Sequence, residues 1–161
     1  MANYTVVRTD NLAGIIDGSK LRTVRFYNED AQAAIENGSV VVVGGIEEGS
    51  RDVRVATAPT GDEELGVLAL IASSELMYEE GKSLEEFVNP KGATCLAYIL
   101  CTADEFSITE EGFTGTPAKG KGVKPAAGAK WEVVASAAEG IGEIIAEEYE
   151  GGYTYYVIHI N

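Results

Sequence analysis

Apolar and polar residues alternate along much of this chain, and the dominant period is two, the signature of strands with one buried face. In KLRTVRFY (20–27), Val24 and Phe26 share one face while Arg25 and Tyr27 share the other. RDVRVAT (51–57) alternates in the same way, with Val53 and Val55 expected inward and Asp52 and Arg54 outward. Three other stretches are continuously apolar: Val40 to Val43, closed by Gly44-Gly45; GVLALIA (66–72); and CLAYILC (95–101). Short apolar runs of this length read as strands buried on both faces. EFSIT (105–109) follows as a strand after a turn around Thr102–Asp104, and WEVVASA (131–137) resumes the pattern.

The C-terminus holds the best-defined local element. EIIAEEYEGGYTYYVIHI carries Gly151-Gly152 between two alternating runs, the pattern of a two-residue hairpin turn. It predicts the pairs Tyr149–Thr154, Glu147–Tyr156 and Ile145–Ile158. Tyr153, Tyr155, Val157 and His159 fall on one face, and Tyr156, Ile158 and Ile160 on the other. Both faces turn apolar towards the end, so this strand is expected to be central or clamped at an interface.

Helical signals are few. DAQAAIENG (30–38) predicts one short helix, with Asp30 as cap and Asn37-Gly38 as stop. SSELMYEEGKSLEEFVNPKG predicts one or two turns, with Ser83 and Glu86 at capping-box spacing and Asn89-Pro90 ending the turn. Residues 3–8 read as a first strand or as an arm that orders on binding. Residues 114–130 hold four lysines, two prolines and no carboxylate, and read as a flexible loop or linker. The expected fold is therefore mainly β: a compact β-barrel or β-sandwich with one or two short helices and a C-terminal β-hairpin. All 161 residues form a single domain in this reading, with 1–10 as a candidate N-terminal arm.

Composition supports this, since 19 glycines and eight tyrosines suit short strands and turns. Charge changes the picture more. The net charge is −14, and residues 61–116 carry only Lys82 and Lys91 against twelve carboxylates. All five arginines (Arg8, Arg22, Arg25, Arg51, Arg54) lie in the first third. Such acidity repels nucleic-acid phosphates and anionic membranes, so neither is expected as a partner. The separation has two readings: a solvated, self-repelling surface that keeps the protein soluble, or polarity, with an arginine-bearing face towards an acidic partner and a carboxylate face towards water. Tyr153 and Tyr155 join these arginines as candidate partner-binding residues, because tyrosine buries area with little entropy loss. The opening MANYTVVRTDNLAG lacks the layout of a secretory signal, and Val67–Ala72 is too short to span a bilayer; synthesis in a cytoplasm is expected.

Chemistry finds little support. His159 is the only histidine, so any Ser–His or Cys–His pair would have to use it, and no GxSxG elbow exists. Cys95 and Cys101 would lie about 20 Å apart along an extended strand, too far to form a disulfide, and should share one face as small core residues. No CxxC, HExxH, DxDxDG, phosphate-binding or dinucleotide motif occurs. The carboxylates come as doublets, such as Glu47-Glu48, Glu63-Glu64 and Glu85-Glu86, mostly beside glycine or in expected turns. A catalytic acid would sit instead in an apolar pocket. The expectation is a binding protein: not an enzyme, with no catalytic residue, no metal and no cofactor.

The stretch ENGSVVVVGG, followed by RDVRVATAP and continuing to SITEEGF, resembles the head-associated proteins of tailed bacteriophages. The matching residues are Glu75, Met77, Tyr78, Phe87, Asn89, Gly92, Tyr98, Leu100, Asp104, Phe106, Ser107 and Thr109, within residues 36–115. The pattern departs at Ala103, where such sequences often have glycine before the aspartate. The resemblance implies a capsid decoration (auxiliary head) protein, a structural component of the virion on the outer capsid surface. Its partner would be the major capsid protein, which it would stabilise by binding the assembled lattice. Whether it forms a homo-oligomer is left open. Two other readings stand beside this one: a head-fibre base or tail-associated protein, and a small carboxylate-based hydrolase.

Overall fold

A computed structural model describes residues 4–10, 12, 18–75 and 81–161. Twelve strands and four short 3₁₀ turns make up the described secondary structure, so the fold is mainly β as expected. Five strands close into a barrel: β1 (Leu21–Asn28), β3 (Val40–Ile46), β4 (Arg54–Thr57), β5 (Leu68–Ile71) and β6 (Cys95–Ile99). Their order is β1-β4-β3-β5-β6, and β6 returns to β1 through Leu21↔Tyr98 to Val24↔Cys95. The β1–β4 pair is parallel and all other barrel pairs are antiparallel. The two-residue β2 (Ala31–Gln32) hangs on β1 as a hairpin.

A barrel of five strands has a narrow bore, and the inward residues are correspondingly small. Val24, Val41, Ala56, Ala69, Ile71, Cys95 and Ala97 fill it, and Phe26 and Ile35 belong to the same buried cluster. The face assignment expected for β4 is reversed. Ala56 points inward, while Val53 and Val55 are only half-buried, because the parallel pairing of β4 with β1 sets Ala56 opposite the inward Phe26.

The second sheet has the order β7-β12-β11-β9-β10-β8. These are β7 (Glu105–Thr109), β8 (Phe113–Thr114), β9 (Gly122–Pro125), β10 (Trp131–Val134), β11 (Gly142–Glu150) and β12 (Tyr153–Ile160). One hydrophobic cluster joins the two sheets: Val40, Leu68, Leu70 and Leu100 from the barrel wall meet Phe106, Ile108, Trp131, Ile144, Ile158 and Ile160. This explains why Leu68–Ile71 is apolar throughout; alternate residues face the bore and the second sheet, and all four are buried. Trp131 lies at the centre, its ring 5.4 Å from that of Phe106, and its Nε1–H donates to the Gly38 carbonyl at 3.1 Å. Strand β12 is central, as its two apolar faces predict, with β7 on one side and β11 on the other.

Four local expectations are corrected. Residues 30–38 form no helix: β2 bonds back to β1, and Ile35 exchanges backbone hydrogen bonds with Asn89, 54 residues away. Gly44-Gly45 does not end its strand but sits in an irregularity of β3 between Val43 and Ile46. The stretch 114–130 carries β9, inserted between β10 and β11 with Val123 buried. Glycine is required there, because a Cβ on Gly122 would lie 2.1 Å from the Ser136 carbonyl oxygen. Cys101 is exposed and not in the core, since β6 stops at Ile99 and the chain turns after Leu100. Cys95 lies in the bore, where burial pushes its thiol up to about 11.

The capping box is present. Glu86 accepts from the Ser83 N–H at 2.8 Å and closes the turn Leu84–Glu86. The remainder of the expected helical segment, residues 76–80, lies outside the described residues, as do residues 1–3 of the candidate arm.

Candidate functional site

The described part of the candidate arm lies along β7. Val7 bridges Ile108, Arg8 N–H donates to the Ser107 carbonyl at 3.0 Å, and Thr109 N–H donates to the Val6 carbonyl at 3.0 Å. Val6 and Val7 are both buried, so the segment from Thr5 to Arg8 is anchored in the scaffold. Its last residue, Arg8, is thereby delivered to the side of β12. The guanidinium bonds Asp10 at 2.9 Å and Glu148 at 3.3 Å, and lies 5.8 Å from the centre of the Tyr155 ring. The Asp10 hydrogen bond raises the Arg8 pKa and lowers that of Asp10.

These contacts bring three of the seven candidate residues together. Arg8, Tyr153 and Tyr155 line a cleft of about 300 Å³ with Glu75, Leu84 and Glu150. Tyr153 packs edge-on against Tyr155 at 6.2 Å. Tyr155 is only 5% exposed, so it supports the cation above it from below. Burial raises its hydroxyl pKa, with the Glu75 charge adding to the effect. Glu75 is half-buried, and desolvation raises its own pKa. The cleft is thus amphipathic: an aromatic floor, one arginine, and carboxylates at the rim.

The other four arginines are not brought to this cleft. Arg25, on β1, donates to the Gly92 carbonyl at 3.0 Å and is paired with Glu47, which also accepts from the Tyr27 hydroxyl. Those hydrogen bonds, that of Tyr27 first, hold the Glu47 carboxyl below its ordinary value. Arg22 folds onto its own backbone, bonding the Ser19 carbonyl at 2.5 Å and the Leu21 carbonyl at 2.9 Å. Arg54 reaches the Gly44 carbonyl at 3.3 Å, and Arg51 is exposed between β3 and β4. The arginine set is therefore divided between the barrel and the second sheet, and does not form one continuous face.

Several carboxylates expected to be solvated are structural instead. Glu63 accepts from Thr60 N–H, the Thr60 hydroxyl and Gly61 N–H at 2.6 to 2.9 Å. Burial opposes its charge, but these bonds prevail and hold its pKa at about 2. His159 faces Glu105 across the β12–β7 pair, Nδ1 to Oε1 at 2.9 Å. Among the described residues no cluster of three or more His, Cys, Asp or Glu side chains is placed to hold a metal.

Sequence reasoning missed Leu84 as a cleft residue and Tyr149 as a surface residue; Tyr149 is 75% exposed, the highest among the described large hydrophobics. The signal for Tyr149 was available in the hairpin register, which places it opposite Thr154, next to the turn, where a flanking strand has little to cover. No family model, no curated protein and no solved structure matches this chain.

Proposed function

We propose that this protein is a structural virion component that binds the outer surface of a phage capsid lattice, with the cleft around Arg8 and Tyr153 as part of its contact surface. The observation that carries the reading is the convergence of Arg8 with Tyr153 and Tyr155, from opposite ends of the sequence, on one amphipathic cleft at the end of the β11–β12 hairpin. Aromatic and arginine side chains on a rigid sheet are the usual anchors of protein interfaces.

The residues behind the phage resemblance support the same reading in a different way. Leu100, Asp104, Phe106, Ser107 and Thr109 are buried, and the buried side chain of Asn89 donates to the Ile35 carbonyl at 3.0 Å. Of these, Ser107 and Thr109 on β7 hold the segment that carries Arg8.

Sedimentation with mature capsids made by the genome that encodes this chain tests the proposal. The protein should co-pellet and saturate, and Arg8→Glu should weaken binding more than Arg51→Glu, which lies on the barrel. Failure to co-pellet at any ratio overturns the capsid reading. Equal effects of the two substitutions would remove the cleft from the contact surface.

A further inference from the structure

Strand β11 runs for nine residues, yet among the described residues its outer side is covered only at the base. It pairs with β9 at Gly142 and Glu143. Ile144 then exchanges hydrogen bonds with the turn before β9, accepting from Gly120 N–H at 2.8 Å and donating to Lys121 at 2.9 Å. From Ala146 to Glu150 the strand pairs with β12, and no described residue hydrogen-bonds its backbone from the other side. Among the described residues, five residues of strand, about 17 Å, are left as an open edge.

The turn defines which backbone groups face outward. Gly151 and Gly152 both have positive φ, 59° and 91°, as a type I′ turn requires. In such a hairpin the closing pair, Glu150↔Tyr153, exchanges both its hydrogen bonds, and the pairs alternate from there. Ala146, Glu148 and Glu150 therefore point their N–H and C=O groups at β12. Glu147 and Tyr149 present theirs outward.

The side chains say what could pair there. Glu147, Tyr149 and Glu150 are exposed, and Glu148 is half-exposed. A second copy laid antiparallel on this edge would set glutamates against glutamates, which is destabilising. An extended segment bearing lysine or arginine meets the opposite situation. Its cations would fall beside the Glu147 carboxylate and the open Tyr149 ring, which lie on the same face of the strand, a pairing of ionic and cation–π attraction.

We propose that the edge of β11 from Ala146 to Glu150 is a strand-addition site for an extended, Lys- or Arg-bearing segment of a partner protein. The proposal stands on this edge alone and does not depend on the capsid reading. The probe is a nine-residue peptide alternating lysine and threonine, titrated to about 1 mM into the isotope-labelled full chain. Binding should slow hydrogen exchange at the Glu147 and Tyr149 amides, whose N–H groups face outward, while the Glu148 amide stays as it was. Glu147→Lys should weaken binding by about fivefold or more, as replacing an attraction by a repulsion requires. Tyr149→Pro, which deletes an outward N–H without touching the β12 ladder, should abolish the protection. The proposal is overturned by absence of binding at that concentration, or by equal binding to Glu147→Lys. It is likewise overturned by binding that leaves both outward amides unprotected, which is charge condensation, or by self-association of the chain through those same amides.

Discussion

Asn37→Ala tests how the barrel is tied to the loop that crosses its end. Asn37 is fully buried, and its carboxamide behaves as an extra peptide unit. Nδ2–H donates to the Ser73 carbonyl at 2.9 Å, and Oδ1 accepts from Ser73 N–H at 3.0 Å and from Asn89 Nδ2–H at 3.0 Å. Truncation leaves two buried backbone groups of Ser73 without partners, whereas the Asn89 amide keeps the Ile35 carbonyl. Each orphaned group costs about 1–3 kcal/mol, and water entering the vacated volume recovers part of this, so the expected loss is about 3 kcal/mol. With a urea slope of about 2 kcal/mol per molar, the unfolding midpoint should fall by about 1.5 M. Asn37→Asp should be no better, since it keeps the shape but loses the donor and buries a charge. Asn28→Ala, at an exposed position of β1, is the control and should change stability by less than about 0.5 kcal/mol. A loss below about 1 kcal/mol for Asn37→Ala, measured by urea unfolding, would refute the account of this network.

Three further outcomes are expected. Ala103 has φ of 74°, a left-handed conformation that disfavours a Cβ, so Ala103→Gly should raise stability by about 0.5–1 kcal/mol in thermal unfolding, net of the glycine entropy cost. Glu63, held at about 2 against an ordinary 4.5, contributes stability that is complete above pH 4.5 and is lost as pH falls towards 2. In Glu63→Gln the drop in urea midpoint between about pH 5 and about pH 3 should be shallower; an unchanged drop would show that the Thr60–Gly61 cap does not form. A thiol reagent applied to the native protein at neutral pH should modify Cys101 and spare Cys95, which is buried and has its thiol pushed up to about 11. Modification of both at equal rates would contradict the closed barrel.

At Ala103 the backbone has a left-handed conformation, with φ of 74°, that glycine accommodates without strain. Asp104 holds the turn despite the alanine. Its carboxylate accepts from Cys101 N–H at 2.7 Å and from Lys20 at 2.5 Å, while Ala103 N–H donates to the Ile160 carbonyl at 2.8 Å.

What the sequence by itself determined is what local periodicity controls. The inward set Val24 and Phe26, the strand 105–109 and the turn-proximal pairs Tyr149–Thr154 and Glu147–Tyr156 all follow from alternation and a Gly-Gly turn. The third hairpin pair does not: a bulge after Ile144 brings that residue, not Ile145, opposite Ile158. Only the tertiary structure decided the rest, because the deciding partners are far away along the chain. Ile35 and Asn37 could have served a helix until Asn89 and Ser73 offered better hydrogen bonds. Gly122–Pro125 has no strand pattern of its own and becomes one only between β10 and β11. Closure of β1 on both β4 and β6 chose the barrel over the sandwich and reversed the faces of Val55 and Ala56. The same closure scattered the arginines, leaving Arg8 and the hairpin tyrosines to form the cleft. Alternation states that a strand has two faces; which one is buried, and which edge is left open, depends on the strand that arrives beside it.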